Sequence, residues 1–150
     1  MSRTMPMPIW VGRDGRSRVV VETPDVAKQV ALARILDKSG YAVLSWRGPE
    51  GTDDRCALVE HETCNGVAGA DVVVHAMRPQ DPRNREVLRH ILDRYPDVPI
   101  VVEAPRPYVE RHPDEFERCR VVFQPMTAEM LIEAVEEAIR DRAVTSADQA

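Results

Sequence analysis

Aromatic residues are scarce in this chain of 150 residues, 5% in all, and cysteine occurs only at Cys56, Cys64 and Cys119. That odd, unpatterned cysteine set argues against a disulfide framework and fits free thiols in a reducing cytoplasm. No apolar run approaches the roughly 20 residues needed to span a bilayer. The N-terminal Arg3 is followed by Met-Pro-Met-Pro-Ile-Trp, without the apolar core or small-residue cleavage pattern of a secretory signal. A basic excess is missing too: the net charge is -5, so a general binder of the nucleic-acid backbone is not expected. No glycine-rich phosphate loop follows the first apolar run, and no serine sits in a nucleophile-elbow pattern.

What is present is an alternation of short apolar runs with helical spacings. Hydrophobic content of 43% and charged content of 30% suit one soluble domain with a real core. Val19-Val20-Val21 reads as a buried parallel strand. Thr23-Pro24 then opens a helix, with Thr23 as its cap, that carries Val26, Val30, Leu32, Ala33, Ile35 and Leu36 and stops at Gly40. Tyr41–Trp46 is the second strand, followed by a polar loop. Cys56–Val67 has the makings of a short helix. Asp71–Ala76 is the third strand, Met77–Arg83 a proline-containing loop, and Asn84–Tyr95 a helix. Pro99–Glu103 is the fourth strand, and Ala104-Pro105-Arg106-Pro107 breaks the chain. Asp114–Cys119 has room for a helical turn, Val121-Val122-Phe123 is the fifth strand, and Thr127–Arg142 is the last helix.

Five strands alternating with helices predict an α/β domain, one parallel sheet covered on both faces, in the flavodoxin-like order 2-1-3-4-5. The expected organisation is a flexible arm at residues 1–16, the domain at 17–142 and a disordered polar tail at 143–150. Ile9-Trp10-Val11 is the part of the arm expected to dock.

The run Arg120-Val121-Val122-Phe123-Gln124-Pro125-Met126-Thr127 closely resembles the last strand, Lys-Pro turn and final helix of response-regulator receiver (CheY-like) domains. The resemblance extends over roughly residues 17–141 through strand order, the proline before the fourth strand and the loop proline after the third. It implies a phosphoryl-transfer site at the carboxyl ends of the strands, and the residues there depart from it. Where receivers carry an acidic pair and an acid-proline step, this chain has Glu22-Thr23-Pro24. Where they carry the phosphoacceptor aspartate, it has Ala76, or His75 in the neighbouring register. The strand-four hydroxyl residue is Ala104, beside Glu103, and the lysine is Gln124. Mg²⁺ needs oxygen ligands around one or two carboxylates, and phosphoryl transfer needs a nucleophile and positive charge. The resemblance therefore implies a degenerate pseudo-receiver that is not phosphorylated on aspartate.

The chain is thus expected to be a stand-alone, cytoplasmic, non-catalytic signalling module acting through a protein partner or as a homodimer. No cofactor, metal, nucleic acid or membrane is expected. Met130 and Val135, on the wide apolar stripe of the last helix, are the expected interaction face. The competing reading is a small-molecule-binding or enzymatic domain in which His75, Glu22 and Glu103 form an acid–base cluster, with arginines such as Arg78, Arg83, Arg85, Arg89, Arg106 and Arg111 nearby. Cys56, His61 and Cys64, with a fourth ligand from His75, His90 or His112, were they to meet, would suit zinc. Structural zinc sites usually show close cysteine pairs and four committed ligands, so a buried cysteine and a surface histidine are the favoured reading of that spacing.

Overall fold

β-Branched side chains on both faces of a strand can be buried only between two layers, and the valine runs of this chain form the middle layer of three. The computed structural model describes Trp10, residues 15–51 and residues 65–148. Its strands are β1 (Arg18–Glu22), β2 (Ala42–Trp46), β3 (Val72–His75), β4 (Ile100–Ala104) and β5 (Arg120–Phe123). They make one parallel sheet in the order β2-β1-β3-β4-β5. The helices are α1 (Val26–Lys38), single turns α2 (Gly48–Gly51) and α3 (Asn65–Ala68), α4 (Pro82–Arg94), α5 (Arg106–Arg111) and α6 (Ala128–Asp148). A 3₁₀ turn, Pro113–Phe116, follows α5. Among the described residues no helix is long and apolar enough to cross a membrane.

Period-two alternation divides the core cleanly. Val20, Val73, Ile100 and Val102 face α4 and pack with Val87, Leu88 and Ile91. Val19, Val21, Val72, Val74, Val101 and Val122 face the other way and pack with Leu32 and Leu36 of α1 and Leu131, Ala134, Val135 and Ala138 of α6.

Several element edges differ from the sequence expectation, each for a local reason. The cap of α1 is Asp25, whose carboxylate accepts from the Lys28 amide at 3.1 Å. Thr23 still belongs to the sheet, its amide donating to the Trp46 carbonyl at 3.0 Å, and the helix begins only at Val26. Helix α4 begins inside the expected loop: Asp81 caps it, accepting from the Arg83 amide at 2.9 Å, and Pro82 takes the first position, where a missing N–H costs nothing. The expected break at Ala104–Pro107 becomes α5, because prolines are tolerated in a first helical turn. Gly48 starts α2 at φ +74, where a Cβ would lie 2.4 Å from the Met77 methyl, so this turn requires glycine. Thr127 caps α6 as expected, accepting from the Met130 amide at 3.2 Å. The helix then runs on to Asp148 rather than ending at Arg142, since residues 143–148 contain neither glycine nor proline. The peptide bond Gln124-Pro125 is cis.

Trp10 docks on the sheet's amino end. Its indole N–H donates to the Gly66 carbonyl at 2.8 Å, and the Arg18 guanidinium lies 5.1 Å from its ring centre. Gly69 makes room for it, a Cβ there falling 2.7 Å from the ring.

Val135 belongs to the core, fully buried, and not to an exposed interaction face, whereas Met130 is exposed. The stripe is wide because α6 leans on both the sheet and α1, so its inner half is internal packing. Val135→Glu is therefore expected to unfold the domain, a buried unpaired carboxylate costing several kcal/mol against a total stability of about 5–15 kcal/mol. Met130→Glu should change stability by less than about 1 kcal/mol. Urea denaturation followed by circular dichroism distinguishes the two.

The Asp81 carboxyl is pulled down to about 2 from its ordinary 3.8, foremost by the side-chain hydrogen bond from Arg83. A folded-state value below the unfolded one stabilises at neutral pH and loses that contribution as pH falls from about 4 through about 2. Asp81→Asn keeps a capping acceptor but loses the charge. It should cost up to about 1 kcal/mol at pH 7, since Arg83 is largely in solvent, and roughly half as much at pH 3. Urea titrations at the two pH values check this.

Candidate functional site

Each strand carries its side chains alternately up and down, so the residue at which it ends decides which face its terminal polar group serves. Strands β1 and β3 end in phase. Glu22 pairs in register with His75, and each lies two residues beyond a valine, Val20 or Val73, that points toward α4. The two side chains meet there, His75 Nδ1 lying 2.9 Å from Glu22 Oε1. Glu22 is fully buried, His75 is 4% exposed, and among the described residues the second Glu22 oxygen is buried without a hydrogen-bond partner. A hydrogen bond to an ionised Glu22 requires the proton to sit on Nδ1. A carboxylate orienting an imidazole in this way is the geometry of a general-base dyad. Its burial, however, turns both groups inward.

Strand β4 ends out of phase with them. His75 is in register with Val102, so Glu103 lies one residue further on and points to the opposite face, following Val101. There Glu103, 4% exposed, accepts from the Lys28 ammonium of α1 and, at a long 3.4 Å, from the Gln124 amide. The single acid–base cluster expected of Glu22, His75 and Glu103 is thus two clusters on two faces. The sheet separates them because one residue of register inverts a side chain.

The remaining expected residues fall as follows. Thr23 is buried at the end of β1, and Ala104 is fully buried at the end of β4. Of the two placements for the third strand's terminal residue, the register favours His75. Ala76 lies beyond β3, and its side chain packs with Val74 on the face away from Glu22. Gln124 is exposed apart from its contact with Glu103. The arginines do not converge. Arg83 pairs with Asp81, Arg85 donates to the carbonyls of Pro79 and Gln80, and Arg106 lies over the Phe123 ring at 4.1 Å. Cys56, His61 and Cys64 lie outside the described residues. His90 approaches Glu86 at 3.8 Å, and His112 stacks on Tyr108 with centroids 4.2 Å apart. The Cys119 thiol is pushed up to about 11 by burial and so resists ionisation.

Lys28 is the participant that the sequence did not single out. Nothing in a lysine within the first turns of an amphipathic helix distinguishes a solvated ammonium from one aimed at a strand end.

With this geometry in view, the fold is that of the CheY-like receiver domains. A response-regulator receiver domain from Clostridium thermocellum is similar over 86% of this chain and 98% of its own, with TM-score 0.66 and 19% identity. The receiver domain of NtrX from Brucella abortus is similar over 81% and 98%, with TM-score 0.63 and 18% identity. A longer NtrX structure gives TM-score 0.70 at 17% identity, and there the match spans 89% of this chain but only 29% of the other. No family model and no curated protein matches the sequence.

Removing one partner of the Glu22–His75 pair leaves a buried polar group unsatisfied. Glu22→Ala and His75→Ala should therefore each cost about 1–3 kcal/mol for that group, plus the cavity left behind. The double change Glu22→Ala/His75→Ala removes both polar groups and should cost clearly less than the two single changes summed. A double-mutant cycle in urea measures the coupling, and strict additivity would show that the two groups do not interact.

Proposed function

We propose that this chain is a receiver-like regulatory module that signals without aspartyl phosphorylation, through contacts with a protein partner or with a second copy of itself in the cytoplasm. The observation that carries the reading is the buried Glu22–His75 hydrogen bond. It occupies the strand ends where receivers hold a metal-binding acid and a phosphoacceptor aspartate. An imidazole there offers no carboxylate to a phosphoryl group. Ala104 and Gln124 supply neither the hydroxyl nor the ammonium, and the nearest ammonium, that of Lys28, is engaged by Glu103.

Docking requires surface, and Val26 and Val30 on α1 and Met130 on α6 are the large apolar side chains left exposed among the described residues. They are the places at which a partner or second copy would gain most from desolvation. The enzymatic reading draws support from the dyad geometry at His75. It is disfavoured because a general base must reach its substrate, and here the imidazole is covered.

Treatment with acetyl phosphate and Mg²⁺, or with a fluoroberyllate mimic, should leave the intact mass and the amide spectrum of the protein unchanged. One stoichiometric phosphoryl group on an aspartate or glutamate would overturn the reading. Light scattering across a concentration series separates self-association from a requirement for another protein.

A further inference from the structure

Two hydrogen-bond donors from different elements converge on one buried carboxylate oxygen at the strand ends. Glu103 Oε1 receives the Lys28 ammonium from α1 and the Gln124 side-chain amide from the turn between β5 and α6. The acceptor is 4% exposed, while the Lys28 side chain, 31% exposed, covers it from the solvent side. An ammonium and an amide N–H aimed at one point, over the ends of β4 and β5, make a small oxyanion cradle. Most such cradles stay open for a ligand, whereas here a side chain of the same sheet fills the position.

We propose that Lys28 and Gln124 form an anion-binding site for a compact oxyanion of the phosphate class, which the protein keeps filled with its own Glu103 carboxylate. The internal anion joins α1, β4 and the β5–α6 turn into one unit and excludes solution phosphate. This goes beyond a lack of phosphorylation. The strand ends on the α1–α6 side then hold a built-in carboxylate in the place where a solution anion would bind. The proposal is independent of what Glu22 and His75 do on the opposite face.

Three forms of the full chain test it: wild type, Glu103→Ala and Lys28→Met/Glu103→Ala. Each is melted in sodium phosphate and in sodium chloride at matched ionic strength. Vacating the cradle should let inorganic phosphate enter. At ten times its dissociation constant, phosphate should raise the melting temperature of Glu103→Ala by about 3–6 °C over chloride. Neither the wild type, whose cradle is full, nor the double variant, which lacks the ammonium, should respond. If Glu103→Ala fails to fold, Glu103→Val vacates the same acceptor position while keeping a strand-favouring apolar side chain, and the same comparison is made. A Glu103 variant indifferent to phosphate overturns the proposal. So does a wild type that responds as strongly as the variant, or a double variant that keeps the response. Phosphate transfer to the protein would count against the functional reading above and leave these thermal comparisons interpretable.

Discussion

The register between β1 and β3 is the constraint on which the remaining architecture rests. Val19, Val20 and Val21 lie beside Val72, Val73 and Val74 at the centre of the sheet, all fully or almost fully buried. Side chains on both faces are committed, so a slip of one residue would exchange every valine between two different helical layers. It would also move Glu22 and His75 out of contact. Their hydrogen bond therefore costs the fold no separate positioning. Two buried polar groups satisfy each other because the surrounding apolar pairs have already placed them.

The same alternation explains why this module does not present a single polar centre at its strand ends. Glu22 and His75 serve the α4 side, and Glu103 serves the α1–α6 side with Lys28 and Gln124. Each carboxylate is met by a nitrogen group of its own, one an imidazole and the other an ammonium. A buried charge without a partner is too costly to keep, so the residues at these positions make sense in pairs. A glutamate at 103 is tolerable because a lysine stands at 28, and a histidine at 75 because a glutamate stands at 22. The outcome is a receiver-fold protein whose two strand-end carboxylates each meet a nitrogen group, with one Glu22 oxygen left without a hydrogen bond among the described residues.

Much of this was legible in the linear chain. The five strands, their order and the helix after the fifth strand follow from apolar runs bounded by Gly, Pro and polar residues, and the structure has them in that order. The helix starts at Asp25 and Asp81 were misplaced by a few residues. Which of several neighbouring Thr, Pro and Asp residues caps a helix depends on where the preceding strand or loop releases the backbone. Likewise the wide stripe on α6 showed that the helix is amphipathic but not how far around it α1 would reach. Val135 was thus read as surface and proves to be core.

The sequence by itself determined the layer architecture, because period and length of apolar runs are local properties that each segment carries alone. It also carried the likeness of the Gln124-Pro125 turn to the receiver Lys-Pro turn, since residue identity needs no coordinates. Only the tertiary structure decided which polar residues meet. Glu22 and His75 are 53 residues apart in the chain, and Lys28 and Glu103 are 75 apart. Whether they touch depends on strand register and on helix rotation over the sheet. Those are set by the packing of the whole core, and no short window of sequence contains them.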